Sequence, residues 1–461
     1  MERAKGDYTS LIQNIYSKAY PDHKLLSLEK LEKQGYASTT YFVSLAPPSN
    51  FTANPSTDQI PISSPNSLNS LNFTNGPTTG STRESVDPSN LKLDLIVQIR
   101  PRTSPIPLLS FESVVRPLLG PYELVPSIRL LHPTPISTTI VPSPVSENTS
   151  TARDGSKSQF EEVWVYEMTR LPGVSLSEII RDPGYAPGCI PDVAVGIGEL
   201  LGRSRIARTK EDEGVIATVG FAQMEEQLMM AVNSTNPKIM PYEEVYQGLL
   251  EEVRVFWSES ESESESESDE VRGRAVWMEV SNDDVSPTNI IVQVQTNPDT
   301  GDKITPNENQ NQNHKVTVSG LVDWQFVLLK PLGYSAHALF WLIGWGIGYK
   351  YVLHPNAREI ERAFWRGYVR GLEVVPDVPG SDAVPPGGEG SSGEAGGDGR
   401  SREVILTKAK AKTRREDVEL IVRVGGALSA CADGAWNCMF GEVGTMARYR
   451  IREEDWSASA V

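Results

Sequence analysis

Apolar residues recur along this chain with two different periods, and the change falls near residue 173. Before it, Tyr41–Leu45, Leu93–Ile99 and Val163–Met168 follow a strand-like pattern. A helix over residues 12–20 precedes them and one over 108–119 interrupts them. In the second, Leu108, Leu109, Phe111, Val115 and Leu118 recur at helical spacing. After residue 173 the period becomes helical over 192–207, 222–232, 242–257, 356–373 and 416–432. One pair of short strands, 289–295 and 316–322, interrupts that half as a hairpin. The most apolar stretch, 336–353, contains His337, Lys350 and three glycines, which predicts a buried helix rather than a membrane span.

Composition changes this picture in one respect. Of 461 residues 39% are apolar, below the usual share for a globular chain. The deficit is concentrated in polar tracts. Residues 47–90 hold mainly Ser, Pro, Asn and Thr and are expected to be disordered. Residues 134–159 are expected to be a Ser/Thr/Pro-rich loop, and 296–315 to enlarge the hairpin. The Ser-Glu alternation of 258–270 reads as a solvated spacer, and 376–402 as a Gly/Pro/acidic loop. With these set aside, strands come first and helices second. The order implies an α+β chain with a first domain over 1–170 and a helical second domain over 171–461, joined after Leu171-Pro172-Gly173.

Charge and cysteine content remove several function classes. The formal charge is −17, which argues against a general nucleic-acid binder. Cys189, Cys431 and Cys438 are too few for a disulfide framework and contain no C-x-x-C pair. The five histidines lack ligand spacing. No Gly-x-Ser-x-Gly is present, so a serine hydrolase has no support. The glycines 344, 346 and 348 lack a strand-to-helix setting and read as close helix packing rather than a phosphate loop. The first residues carry no apolar signal core, so a cytoplasmic location is expected. The run 408–415 leaves a nuclear one open, although it also reads as a solvated helix start.

The chemistry is concentrated in Asn282-Asp283-Asp284-Val285-Ser286-Pro287-Thr288-Asn289, which enters the strand Ile290-Ile291-Val292. A carboxylate five positions before a carboxamide, on a loop entering a strand, is the spacing of a kinase catalytic loop. Asp284 has that spacing to Asn289 and Asp283 does not, so Asp284 is the expected base. A second segment, Gly320-Leu321-Val322-Asp323-Trp324, ends an apolar strand in a carboxylate placed to chelate Mg²⁺. Taken singly, Asp284 and Asn289 read equally well as turn formers, and Asp323 as a strand-end cap.

Together with Tyr166-Glu167-Met168-Thr169-Arg170-Leu171-Pro172-Gly173-Val174-Ser175, these segments resemble the aminoglycoside phosphotransferase-like group of the protein-kinase-like superfamily, in particular its fungal members. The resemblance covers most of the chain apart from the polar tracts. It implies a two-lobed fold, with a small mainly-β N-lobe and a larger mainly-helical C-lobe, and ATP or GTP with Mg²⁺ bound between them. Asp284 would be the catalytic base and Asn289 and Asp323 the metal ligands. Arg100, on the strand Ile96–Arg100, would contact phosphates and pair with Glu112. Gly35 would lie in the loop over the phosphates, and Tyr166, Glu167 and Met168 beside the base. The partners implied are a nucleotide and a small-molecule acceptor, with no membrane.

Three departures stand out. Asn282 occupies the place where the family usually has His, the cation is Arg100 rather than Lys, and no glycine follows Asp323-Trp324. The chain therefore reads as a small-molecule phosphotransferase, with a catalytically weak, kinase-fold nucleotide-binding module as the alternative.

Overall fold

The computed structural model describes residues 7–31, 38–46, 93–139, 160–181, 186–207, 217–237, 239–264, 277–282, 284–295, 315–347, 350–373, 415–431 and 448–457. The expectations for 47–90, for 376–402 and for almost all of 296–315 lie outside these residues. The chain forms two compact units. One comprises Met1–Pro105 and Ile128–Arg170, the other Ile106–Ser127 and Leu171–Val461. The segment 106–127, read from sequence as part of the first domain, packs in the second unit.

The first unit is an antiparallel sheet with one helix on it. Helix α1 (Thr9–Ala19) precedes β1 (Lys24–Lys30), β2 (Thr39–Ala46), β3 (Leu93–Pro101), β4 (Ile128–Leu130), β5 (Ile136–Thr139) and β6 (Phe160–Thr169). The order is β1-β2-β3-β6-β4, with β5 also on β6. Tyr8, Ile12 and Tyr16 pack on Tyr41, Val43, Val97 and Val165, so each strand turns one face to the helix. The expected loop over 134–159 is corrected at its start. Ile136–Thr139 is a strand whose register opposes Ile136 to Val163 and Thr139 to Phe160. Its β-branched residues complete an edge, and the neighbouring Ser and Pro residues obscure that in the sequence.

The second unit is richer in strands than the sequence implies. Its helices include 108–119, Leu176–Arg181, Ala186–Arg203, Phe221–Val232, Glu243–Ser264, Ala357–Glu373 and Arg415–Cys431. The helix 108–119 contains a wide turn, Phe111–Val115, in which Arg116 N–H bonds to Phe111 O. Three small sheets join them, where one hairpin was expected. β7 (Val174–Ser175) pairs with β11 (Ile290–Gln295), which pairs with β12 (Lys315–Leu321). A second sheet takes the order β8 (Arg205–Ala207), β10 (Trp277–Ser281), β13 (Leu328–Pro331), β9 (Ala217–Thr218).

Three further expectations are corrected. The helix over 192–207 stops at Arg203, because Ser204 Oγ turns back to Leu201 O and Ile206 enters a sheet opposite Met278. The Ser-Glu run is not all spacer. The helix Glu243–Ser264 continues into it, as suits a glutamate-rich segment. The run 336–353 is not one helix. A 3-10 turn (Tyr334–Ala338) and a short helix (Leu339–Ile343) lead into β14 (Gly344–Ile347) and β15 (Lys350–Leu353). Gly344 is extended rather than packed between helices, and Tyr351 lies where its side chain would be. A continuous apolar run does not distinguish these forms.

The helices Ala186–Arg203 and Ala357–Glu373 cross where Gly198 and Gly202 meet Gly367 and Gly371. A Cβ on Gly202 would lie 2.1 Å from Tyr368 O. Gly202→Ala therefore forces the two backbones apart, at a cost of about 1–3 kcal/mol. Urea unfolding should show this as a lower midpoint with an unchanged slope.

Candidate active site

In the second unit, the segment 284–289 runs from the end of β10 to the start of β11. Asn282 is fully buried at its beginning. Its amide nitrogen donates to Val322 O at 3.3 Å, and its amide oxygen accepts Asp284 N–H at 3.1 Å. The residue that departs from the family pattern is thus the link between the loop and the strand end. Neither bond requires a titratable ring, and an amide supplies both the donor and the acceptor. Asp283 lies outside the described residues.

Asn289 closes the other end. Its Nδ2 donates to Asp284 O at 3.0 Å, and its backbone N–H donates to Ser286 O at 2.9 Å. A carbonyl oxygen can only accept, so the amide nitrogen must face Asp284. The Asn289 side-chain oxygen is then the amide atom not used in this bond. Asn289 O in turn accepts Val322 N–H at 2.9 Å. Asp284, Asn289 and the residue before Asp323 are therefore joined by two successive bonds, and Asn282 closes the ring with two more. Inside the loop, Ser286 Oγ and Thr288 Oγ1 are 2.7 Å apart.

The segment after Gly173 braces this loop. Gly173 has φ +111°, and a Cβ there would lie 2.0 Å from Val292 O. This close approach lets Val174 and Ser175 pair with β11. Ser175 Oγ donates to Pro287 O at 3.0 Å, and Ser177 N–H reaches the same carbonyl at 2.9 Å. The sequence offered Leu171-Pro172-Gly173 only as the join between domains, and this bracing was missed.

Asp323 adopts a left-handed backbone, φ 60°. Asp tolerates this region better than most residues, and such outliers collect at functional sites. The neighbouring Trp324 fixes the turn. Its ring is buried edge-on to Phe111, with centroids 5.8 Å apart, and its Nε1 donates to Leu321 O at 2.9 Å. Gly320, at φ +146°, lets Leu124 O come close enough to accept Leu321 N–H at 2.9 Å.

The remaining candidates are placed as follows. Glu112 pairs with Arg116 one turn on, at 3.1 Å, and both side chains are largely exposed. In the first unit, Arg100 is fully buried and its Nε donates to Gln98 Oε1 at 3.1 Å; Gln98 donates to Ser38 Oγ at 3.0 Å. Gly35 lies outside the described residues. Tyr166, Glu167 and Met168 sit in the middle of β6, with β3 on one side and β4 on the other. The Glu167 carboxylate accepts Tyr16 and Tyr20 Oη, each at 2.8 Å, and Arg129 Nε. Burial, then the Glu167 charge, push both phenols well above the ordinary tyrosine range. Glu167 thus ties α1 to the sheet.

Among the described residues no group of three or more His, Cys, Asp or Glu could hold a metal ion alone. Two oxygen ligands, the Asn289 carboxamide and the Asp323 carboxylate, suit Mg²⁺ shared with phosphate oxygens, because Mg²⁺ is usually held by few protein groups. No described helix is long and apolar enough to cross a membrane.

No protein-family model and no curated protein matches the chain. Solved structures similar to it include the GDP and kanamycin complex of APH(2″)-IIia, at 10% identity and TM-score 0.39, covering 95% of this chain and 98% of that one. The GDP complex of wild-type aminoglycoside 2′-phosphotransferase-IIIa matches at 12% identity and TM-score 0.38, covering 98% and 99%. Aminoglycoside phosphotransferase APH(3″)-Id from Streptomyces rimosus matches at 12% and 0.34, covering 81% and 95%. Likenesses of this strength assign no residue a role.

Asn282→Ala removes the donor to Val322 O and the acceptor for Asp284 N–H together. The expected loss is about 1–3 kcal/mol, the usual penalty for unpaired buried groups. Asn282→Asp should lose more at neutral pH, since it sets a carboxylate oxygen against Val322 O. Urea titrations of the two variants check the order.

Proposed function

We propose that the protein is a Mg²⁺-dependent phosphotransferase that moves the terminal phosphoryl group of ATP or GTP onto a hydroxyl of a small molecule. One observation carries the reading. The loop holding Asp284 and Asn289 is bonded at both ends to the strand that ends in Asp323. Phosphoryl transfer asks a protein mainly for positioning and charge neutralisation, and this set supplies one proton acceptor and two metal ligands.

Asp284 orients the acceptor hydroxyl and takes its proton as the new oxygen–phosphorus bond forms. The bridging phosphorus–oxygen bond breaks, and the nucleoside diphosphate leaves with the electron pair. Asn289 and Asp323 would hold Mg²⁺, which when bound neutralises charge on the phosphate oxygens. Arg100 and the loop at Gly35 are assigned to the phosphates. Glu112 is assigned as the partner of Arg100, which requires it to give up its exposed pairing with Arg116. Tyr166 and Met168 are assigned to the base by packing, because the backbone of 166–168 already lies between two strands. Glu167 is committed to Tyr16, Tyr20 and Arg129, so its assignment is to hold that strand.

The second reading is nucleotide binding without turnover. It is favoured by Asn282, which cannot share a proton with the loop as an imidazole could.

Thermal shift with nucleotide, with and without Mg²⁺, is the first test. Asp323→Asn keeps a residue that tolerates φ 60° and should abolish the Mg²⁺-dependent part of the shift. An unchanged titration removes Asp323 from the site. Asp284→Asn should keep nucleotide affinity while transfer of labelled phosphate into a metabolite pool falls by roughly 10²–10⁴-fold. Equal label from wild type and variant favours the binding module.

A further inference from the structure

Glu279 is the most deeply buried acid near the site. It lies on β10, three residues before Asn282, and its side chain is fully buried. One carboxylate oxygen accepts Gly333 N–H at 2.9 Å and the other accepts Ser335 N–H at 2.5 Å. Two positions along the same strand, Ser281 Oγ accepts from Ser335 Oγ at 3.0 Å. Lys330, opposite Glu279 on β13, is also buried, with its ammonium 3.8 Å over the Tyr334 ring. Burial pushes the Glu279 carboxyl up, and the bonds from Ser335 and Gly333 and the charge of Lys330 oppose this.

A buried carboxylate is expensive, and an apolar residue would pack a four-residue strand more cheaply. What the carboxylate adds is geometry. Gly333 itself sits at φ +100°, so the turn after β13 projects two N–H groups in one direction. Glu279 accepts both, and this fixes β10 along its own axis against that turn. The end of β10 is the start of the catalytic segment. Asn282 follows Ser281 directly, and Asp284 N–H hangs from the Asn282 side chain. The same loop is held downstream by Ser175 at Pro287. Upstream, the Asn282 side chain links Asp284 N–H to Val322 O.

We propose that Glu279 is a positioning residue for Asp284, setting the height of the loop through the Gly333–Ser335 clamp. The proposal rests on the reading of Asp284 as the catalytic base. The neighbouring Tyr368 Oη, from the helix Ala357–Glu373, is fully buried without a hydrogen-bond partner, although Glu279 acts on it electrostatically. Arg205, opposite Glu279 on β8, is spent over the Trp277 ring at 4.5 Å. Neither of them substitutes for the two backbone bonds.

The test is residue-resolved amide exchange in Glu279→Gln. Glutamine keeps the shape but turns an NH₂ toward one of the two N–H donors. Exchange at the Asp284 and Asn289 amides should accelerate about tenfold or more, with exchange in the helix Ala357–Glu373 unchanged. Acceleration spread evenly over the second unit, or none in the loop, overturns the proposal. Should Glu279→Gln fail to fold, Ser281→Ala removes the lateral bond from Ser335 Oγ. It should give the same localised pattern with smaller amplitude, and no localised change overturns the proposal equally. Transfer measured alongside should show kcat falling with nucleotide affinity kept. If wild type binds no Mg²⁺-nucleotide, the functional reading fails while the exchange pattern still decides the clamp.

Discussion

The backbone bond from Val322 N–H to Asn289 O is the contact on which the site depends. It joins a loop to a strand end that lie more than thirty residues apart in sequence. On one side of it Asn282 spans from Asp284 to Val322, and on the other Asn289 reaches back to Asp284 O. Two carboxamides thereby convert a Pro- and Ser-containing turn into a fixed ring of atoms. A carboxamide serves here because each of its ends has a different duty, one donating and one accepting. Both amides are thereby committed to holding the loop.

The contacts around this ring have one purpose in common, which is to bring backbone closer than side chains normally allow. Gly173 admits Val292 O and Gly320 admits Leu124 O, while Trp324 packs edge-on to Phe111. The strain of a left-handed Asp323 is held by the burial of its neighbour. The first unit uses a different device, a buried carboxylate saturated by two phenols and a guanidinium. Each unit therefore buries a glutamate, Glu167 in one and Glu279 in the other, with every oxygen bonded. Saturation of this kind is what makes a buried charge tolerable.

The spacing of Asp284 to Asn289 and the apolar strand before Asp323 were legible in the sequence, because a loop entering a strand has a fixed geometry. So were β2, β3 and β6, whose residues face one core. The hairpin β11–β12 was legible once its polar insertion was set aside. Other features were not. Ile136–Thr139 is an edge strand in a Ser- and Pro-rich setting, and the run 336–353 is apolar at every period. β10 was overlooked because Glu279 interrupts its pattern, and that residue's partners are backbone groups more than fifty positions away. No local rule exposes such a pairing. Asn282 looked like a deficit in the sequence and in three dimensions is a link. Its two partners are distinguishable only when Val322 O and Asp284 N–H are seen on either side of it.

In the proposed function the Asn289 oxygen and Asp323 face one metal ion when nucleotide is bound. Manganese is a paramagnetic substitute for Mg²⁺ with the same taste for oxygen ligands. The direct measurement is the NMR signal of the Asn289 side-chain NH₂ in protein labelled at asparagine, assigned by its loss in Asn289→Asp. Mn²⁺ with nucleotide should broaden this signal beyond detection, while amide signals of asparagines such as Asn14 and Asn233, outside this loop, persist. An Asn289 signal that stays sharp at saturating Mn²⁺-nucleotide would contradict it.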